Sequence, residues 1–242
     1  MIALLKTIVY TPLYNILVLI LNIDWIDAGV ATVILTILVK FILYPLTKKS
    51  TITQVTMKEK SGELNEIKQK YPDRQVQAQK VMEFYKKNKI NPFASIGTIL
   101  IQIPIIYSLY YIFFKSGLPA IDLNLLYPFV KMPELVSMNF LGLVDVSQKS
   151  LLLAALAAIS TYLQLHLSSS GKSDKPNNNI GKINTEEFSQ IMAKQMKYTF
   201  PVVVFFISWQ ISGVVALYWF VSNVVGTLQE SYIRRKYFPE IL

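Results

Sequence analysis

The stretch AGVATVILTILVKFILYPL, residues 28–46, decides how the rest of the chain is read. It is almost wholly apolar, comes after Asp24, Trp25 and Asp27, and closes at Pro45 with Lys48 and Lys49 just beyond. A hydrocarbon layer about 30 Å thick takes about 20 such residues as a helix, and aromatic and charged flanks suit the headgroup level. The segment reads as a membrane span, set at residues 28–47, and its one charge, Lys40, becomes the residue to explain.

Upstream, residues 1–23 are apolar, but Thr7, Thr11, Asn15 and Asn22 recur at helical spacing around Pro12. That stripe predicts an extracellular interfacial helix, against a signal anchor or an additional span. Downstream, residues 48–91 carry both signs of charge, with helical stretches on either side of Tyr71, Pro72 and Asp73, and read as a cytoplasmic helical hairpin. Glu66 with Lys70 and Glu83 with Lys87 stand at i,i+4, and Val81, Met82 and Tyr85 give a thin apolar face.

A second span is expected at residues 92–114, with Gln102 and Pro104 inside it, and a third at 150–167. Residues 115–149, with Pro119, Pro128 and Pro133, suggest an ordered extracellular loop. Residues 168–187 are rich in Ser, Asn, Gly and Lys and predict a flexible stretch within a cytoplasmic loop at 168–197. The apolar run 198–229 would rise about 48 Å as one helix, so a break is expected near Ser212 and Gly213. Two short spans result, 198–212 and 214–232, short enough to thin the bilayer locally, with residues 233–242 as a cytoplasmic tail. The fold class is all-α: a polytopic membrane protein with five transmembrane helices in a single domain, residues 1–242.

Composition agrees, because 52% hydrophobic residues exceed what one soluble core of this size requires. Cysteine is absent, which removes disulfides, thiolate metal sites, thiol nucleophiles and a lipoprotein anchor. The net charge of +9 lies between apolar spans without a DNA- or RNA-binding signature, so specific DNA binding is not expected. Eleven Lys and Arg residues fall in 48–91, five in 168–197 and three after Ile233, against three in 115–149 and Lys6 at the start. By the positive-inside rule the N-terminus is outside and the C-terminus cytoplasmic.

A lysine near a span centre costs about 2.5–3.5 kcal/mol on insertion scales. Either Lys40 snorkels toward Lys48, or it faces a hydrated cavity with Thr36 one turn earlier and with Gln102, Gln164, Ser222 and Asn223 from other spans. Each polar residue singly also suits a helix–helix hydrogen bond, and Trp219 suits either aromatic packing or a groove wall. His166 reads as an ordinary interfacial residue. No Asp, Glu or His occupies a span centre, which disfavours a proton relay or a carboxylate sodium site. Neither a P-loop nor HExxH nor a nucleophile elbow is present, so no catalytic residue, metal or cofactor is expected and the chain is not read as an enzyme.

Four stretches, in order, carry a resemblance: Val39-Lys40-Phe41-Ile42-Leu43-Tyr44-Pro45-Leu46-Thr47 before the hairpin with Tyr71-Pro72-Asp73; Tyr85-Lys86-Lys87-Asn88-Lys89-Ile90-Asn91-Pro92; Ile101-Gln102-Ile103-Pro104-Ile105 with Leu109-Tyr110-Tyr111; and Leu217-Tyr218-Trp219-Phe220-Val221-Ser222-Asn223. Over nearly the whole chain they resemble the YidC/Oxa/Alb family of membrane protein insertases. The resemblance implies a five-helix core around a hydrophilic groove open to cytoplasm and lipid, with a basic residue from the first span inside it. The family usually has Arg there; Lys40 keeps the charge and gives up the planar fork. Gln102, Gln164 and Trp219 match groove-lining positions. The chain looks like a minimal bacterial-type core form, lacking the large periplasmic domain of some relatives and the lipoprotein cysteine of others.

Its expected partners are nascent or newly made membrane proteins and the lipid bilayer, with the ribosome and a Sec-type translocon as further candidates. Its expected place is the bacterial plasma (inner) membrane, multi-pass. The rival reading is a channel or secondary transporter using the same polar cavity; a third is a structural assembly factor that shields helices without moving polar tails.

Overall fold

The computed structural model describes residues 6–88, 90–91, 94–114, 118, 120–169 and 185–241. Their secondary structure is nearly all helical. A π-helical turn at Lys6–Tyr10 leads into α1 (Thr11–Leu21), then α2 (Ala28–Ile42), α3 (Tyr44–Glu59), α4 (Ser61–Lys70), α5 (Arg74–Lys87), α6 (Ala94–Phe114), α7 (Leu151–Ser169), α8 (Thr185–Ile211) and α9 (Gly213–Tyr237). A two-stranded antiparallel hairpin, β1 (Asn139–Phe140) and β2 (Val144–Asp145), lies between α6 and α7.

Most boundaries have local causes. Within the stretch expected as the first span, helix α2 ends at Ile42, because Leu43 breaks the helix and Pro45 sits in the first turn of α3, where its missing N–H costs nothing. The break expected near Ser212 and Gly213 is present, since α8 stops at Ile211 and α9 starts at Gly213. The flanking helices are not short, however. Polar residues extend α8 to 27 residues and α9 to 25 residues, so local thinning argued from helix length loses its support. Residues 168–169 and 185–187, expected in a flexible stretch, are helical; the remainder of that stretch lies outside the described residues.

Two compact units are distinguished, Met1–Phe41 with Pro104–Leu228, and Ile42–Ile103 with Gln229–Leu242. In the first, Tyr14, Leu17 and Val18 of α1, Ala28 and Ala31 of α2, Ile112 of α6, Ala154 and Ala157 of α7, Val204 of α8 and Val214 of α9 are fully shielded. Alanine at these contacts lets helix backbones approach closely. The outside is the reverse of a soluble protein's. Leu152, Ile159 and Leu163 of α7 and Val202, Phe206 and Ile207 of α8 are exposed, while Ser160, Thr161, Ser208 and Asn223 are buried. An apolar exterior over hydroxyl-lined helix contacts is stable against lipid and unfavourable against water. Among the described residues, one helix, at Leu151–Ser168, is by itself long and apolar enough to cross a membrane.

The polar stripe of the N-terminal helix is occupied. Asn15 donates to the Thr11 and Leu125 carbonyls, both at 2.8 Å, and accepts from the Tyr127 N–H at 2.7 Å. Asn22 donates to the Lys131 carbonyl at 2.7 Å, and the Tyr14 hydroxyl accepts from the Asp122 N–H at 2.8 Å. Burial pushes the Tyr14 phenol above its ordinary range. Asp27 caps α2 through the Val30 N–H at 2.8 Å and holds the strand turn through the Leu141 N–H at 2.9 Å. That turn places Leu141 and Gly142 at positive φ, and any Cβ on Gly29 would strike the Phe140 ring. At the other end of the loop, the Gly213 and Val214 N–H groups, orphan donors at the start of α9, donate to the Gln148 and Val146 carbonyls at 2.8 and 2.9 Å.

In the second unit the hairpin is built from three helices, α3 to α5. Asp73 caps α5 by accepting from the Gln75 and Val76 N–H groups, and Gln77 bridges the turn by donating to the Lys68 and Tyr71 carbonyls at 2.7 and 3.1 Å. Leu64, Phe84 and Ile90 form a small core flanked by Met57, Ile67, Val81 and Tyr85. Met82, expected on that face, is exposed, because it stands two residues and so about 200° around the helix from the core residue Phe84. Glu83 pairs with Lys80 at 2.8 Å, at i,i+3, rather than with Lys87.

Candidate functional site

Lys40 lies in the last turn of α2. Its side chain runs to α9 at Gly226, where the side chain of Gln164 arrives from α7: a Cβ on Gly226 would lie 3.6 Å from Lys40 Nζ and 2.8 Å from Gln164 Nε2. Three helices thus bring an ammonium and an amide to one backbone position, and that position is open because Gly226 has no side chain. A Cβ there would displace the Gln164 amide and stand in ordinary contact with Lys40 Nζ.

Thr36 is arranged differently from the sequence expectation. It is fully shielded, and its hydroxyl donates to the Thr32 carbonyl at 2.6 Å within its own helix. It lines a small apolar crevice with Leu13, Leu35, Val39, Ile105, Leu109 and Tyr218. Asn223 is buried and ties α9 to α7, donating to Thr161 Oγ1 at 2.7 Å and Ser160 Oγ at 3.0 Å. This is the helix–helix hydrogen bonding that such a residue offers singly. Ser222 is buried one residue earlier, and Trp219 is half-buried on α9. Gln102 is half-buried on α6 and belongs to the second compact unit.

Sequence reasoning missed Gly226, Ser160 and Thr161. A signal for each was present. Ser160 and Thr161 precede Gln164 by four and three residues, and Gly226 comes four and three residues after Ser222 and Asn223, so each set shares one helix face. Among the described residues, no group of three or more His, Cys, Asp or Glu side chains converges as metal ligands would.

A profile described as "60Kd inner membrane protein" matches residues 20–240. The chain is 31% identical over 209 residues to a membrane protein insertase YidC from Fusobacterium nucleatum subsp. nucleatum, covering 86% of each chain. It is 30% identical over 218 residues to the insertase of the same name from Clostridium perfringens, covering 88% of this chain and 82% of the relative. With that of Methylobacillus flagellatus the identity is 32% over 234 residues, covering 95% of this chain and 36% of a longer relative. The match spans both compact units and all four stretches singled out in the sequence, and the chain therefore belongs to the YidC/Oxa/Alb family of membrane protein insertases.

Proposed function

We propose that the chain receives hydrophobic segments of newly made membrane proteins in a groove at Lys40 and Gln164, carries their short polar or acidic tails across, and releases the helices into lipid. The observation that carries this reading is the meeting of the Lys40 ammonium and the Gln164 amide at Gly226. A charge inside an apolar helix is costly, so a charge retained at a three-helix contact points to a hydrated path. There Lys40 attracts the negative tail of the incoming segment, and hydration lowers the cost of moving that tail through the bilayer. Once the tail has crossed, burial of the segment's apolar surface in lipid drives its release. No chemical step is needed.

The topology in this reading is five spans, with the N-terminus outside and the C-terminus in the cytoplasm, in the bacterial inner membrane. The distribution of Lys and Arg supports that orientation, and the apolar exterior of α7 and α8 supports their contact with lipid. Trp219 serves as groove wall on α9, and Asn223 behind it holds α9 to α7. The basic hairpin is the part suited to meet a ribosome or a Sec-type translocon.

The test is protease-protected insertion of a single-span substrate with an acidic N-terminal tail into proteoliposomes, comparing wild type with Lys40→Arg and Lys40→Gln. Arg is expected to retain insertion, and Gln to lose about tenfold, the effect of roughly 1.4 kcal/mol of lost attraction. Equal insertion by the Gln variant would remove the electrostatic step.

A further inference from the structure

At the start of α3 and the end of α9, within the second compact unit, two lysines converge on one exposed phenol. Lys48 Nζ lies 4.5 Å from the centre of the Tyr237 ring, and Lys236 Nζ lies 5.9 Å from it. Lys236 also donates to the Tyr232 hydroxyl at 3.4 Å. The Lys48 ammonium holds the Tyr237 phenol below its ordinary range, and the hydrogen bond with Tyr232 holds Lys236 above its own. Neither lysine takes part in an ion pair among the described residues, whereas Arg234 beside them is paired with Glu230 at 2.7 Å. Two cations are therefore gathered around tyrosines, with no carboxylate among the described residues paired to either.

The residues leading to this cluster are ordered by polarity. On α9, Leu228, Tyr232 and Lys236 stand at i, i+4 and i+8 and are all exposed, so one helix face passes from apolar to aromatic to cationic. At the head of α3 the same order recurs: exposed Ile42, then Tyr44, then Lys48 one turn later. A bilayer changes in the same sense, from hydrocarbon through the aromatic interface to the phosphates. Lysine stems extend along such a gradient and place their ammonium groups at the headgroups. A phosphopeptide would explain the cations but not the two apolar-to-aromatic faces.

We propose that Lys48 and Lys236, framed by Tyr44, Tyr232 and Tyr237, bind the phosphate of an anionic phospholipid in the cytoplasmic leaflet. The proposal rests on the membrane-embedded reading given above. Two lysines supply the charge, and the phenol hydroxyls donate to the remaining phosphate oxygens. The bound lipid holds the head of α3 to the end of α9 and so fixes the base of the hairpin.

The experiment is native mass spectrometry of the full chain in nonionic detergent, titrated with phosphatidylglycerol, phosphatidylcholine or inorganic phosphate. Wild type is expected to bind phosphatidylglycerol in preference to phosphatidylcholine. The double variant Lys48→Gln/Lys236→Gln is expected to bind it about 25-fold more weakly, about fivefold per lysine. Lys48→Arg/Lys236→Arg should bind as wild type, as should Lys86→Gln/Lys87→Gln, which removes equal charge from the exposed end of α5. Equal weakening in the α5 variant, or none in the Lys48/Lys236 Gln variant, overturns the site. Displacement of the lipid by inorganic phosphate at equal concentration makes this a free-phosphate site and overturns the lipid assignment. The insertion assay run on the same samples separates the two readings: intact insertion with unchanged lipid binding removes the site alone, while extraction of wild type from membranes by alkaline carbonate removes the embedded reading beneath it.

Discussion

The loop between α6 and α7 and the charged hairpin of α3 to α5 both lack a large apolar core, yet they are held in opposite ways. The loop has only short turns and one short strand pair of its own, and its backbone is also bonded to residues far away in sequence: Tyr14, Asn15 and Asn22 of α1, Asp27 before α2, and the first N–H groups of α9. The hairpin relies on its neighbours. Asp73 caps the next helix, Gln77 closes the adjacent turn, and Leu64, Phe84 and Ile90 supply the core. A polar segment is thus ordered either by distant side chains that satisfy its backbone or by local caps over a small cluster. Only the second, in α4 and α5, can open by losing local bonds alone.

The largest effect that would break this contrast is expected from Phe84→Ala. Removing a buried phenyl ring costs about 3–4 kcal/mol, most of what so small a core can supply. Amide hydrogen exchange should accelerate throughout α4 and α5 while α1 and residues 120–131 keep their protection. Loss of protection in both places would show that the two regions form one cooperative unit.

A smaller but farther-reaching effect is expected from Asn15→Leu. It leaves the Leu125 carbonyl and the Tyr127 N–H without the bonds they now make, at about 2–3 kcal/mol. Exchange should rise at residues 122–131, more than 100 positions away, and leave α5 unchanged. Unaltered exchange in the loop would mean that Asn15 is incidental to its order. The smallest is Asp73→Ala, which removes the cap of α5 and costs about 1 kcal/mol. Its effect should be confined to fraying of the first turn of α5, read by exchange at Gln75 and Val76.

The two regions also differ in how far they could be read from sequence. The hairpin was legible because its signals are neighbours: Tyr71-Pro72-Asp73 marks the turn, and Asp73 is placed to cap the helix that begins at Arg74. Its details were less so, since i,i+4 spacing pointed Glu83 to Lys87, whereas it pairs with Lys80 at i,i+3. The stripe Thr11, Asn15 and Asn22 was equally visible, and headgroups were the natural partner for an interfacial helix. That Asn15 and Asn22 bind the backbone of residues 125–131 instead required knowing that the loop folds back onto α1.

At the site, Lys40 and Gln164 stood out as polar groups in apolar spans, whereas Gly226 did not. A glycine in a helix announces nothing until another side chain needs its space. Thr36 illustrates the converse. Its spacing from Lys40 pointed to a shared polar face, but its hydroxyl is satisfied by its own helix, which frees its surface for apolar packing.

By itself the sequence determined the membrane class, the helical fold, the break at Ser212, the turn of the hairpin and the family. Each depends on hydrophobicity or chain direction summed over a few neighbouring residues, and the transfer free energies and backbone restrictions involved are local. Tertiary structure alone decided which polar groups meet. The pairing of Asn223 with Ser160 and Thr161, that of Asn15 with the loop, and the approach of Lys40 and Gln164 to Gly226 depend on hydrogen bonds and contacts effective over about 3–4 Å between residues far apart in the chain. Spacing along one helix fixes which face a side chain occupies, and only the packing of several helices fixes what that face meets.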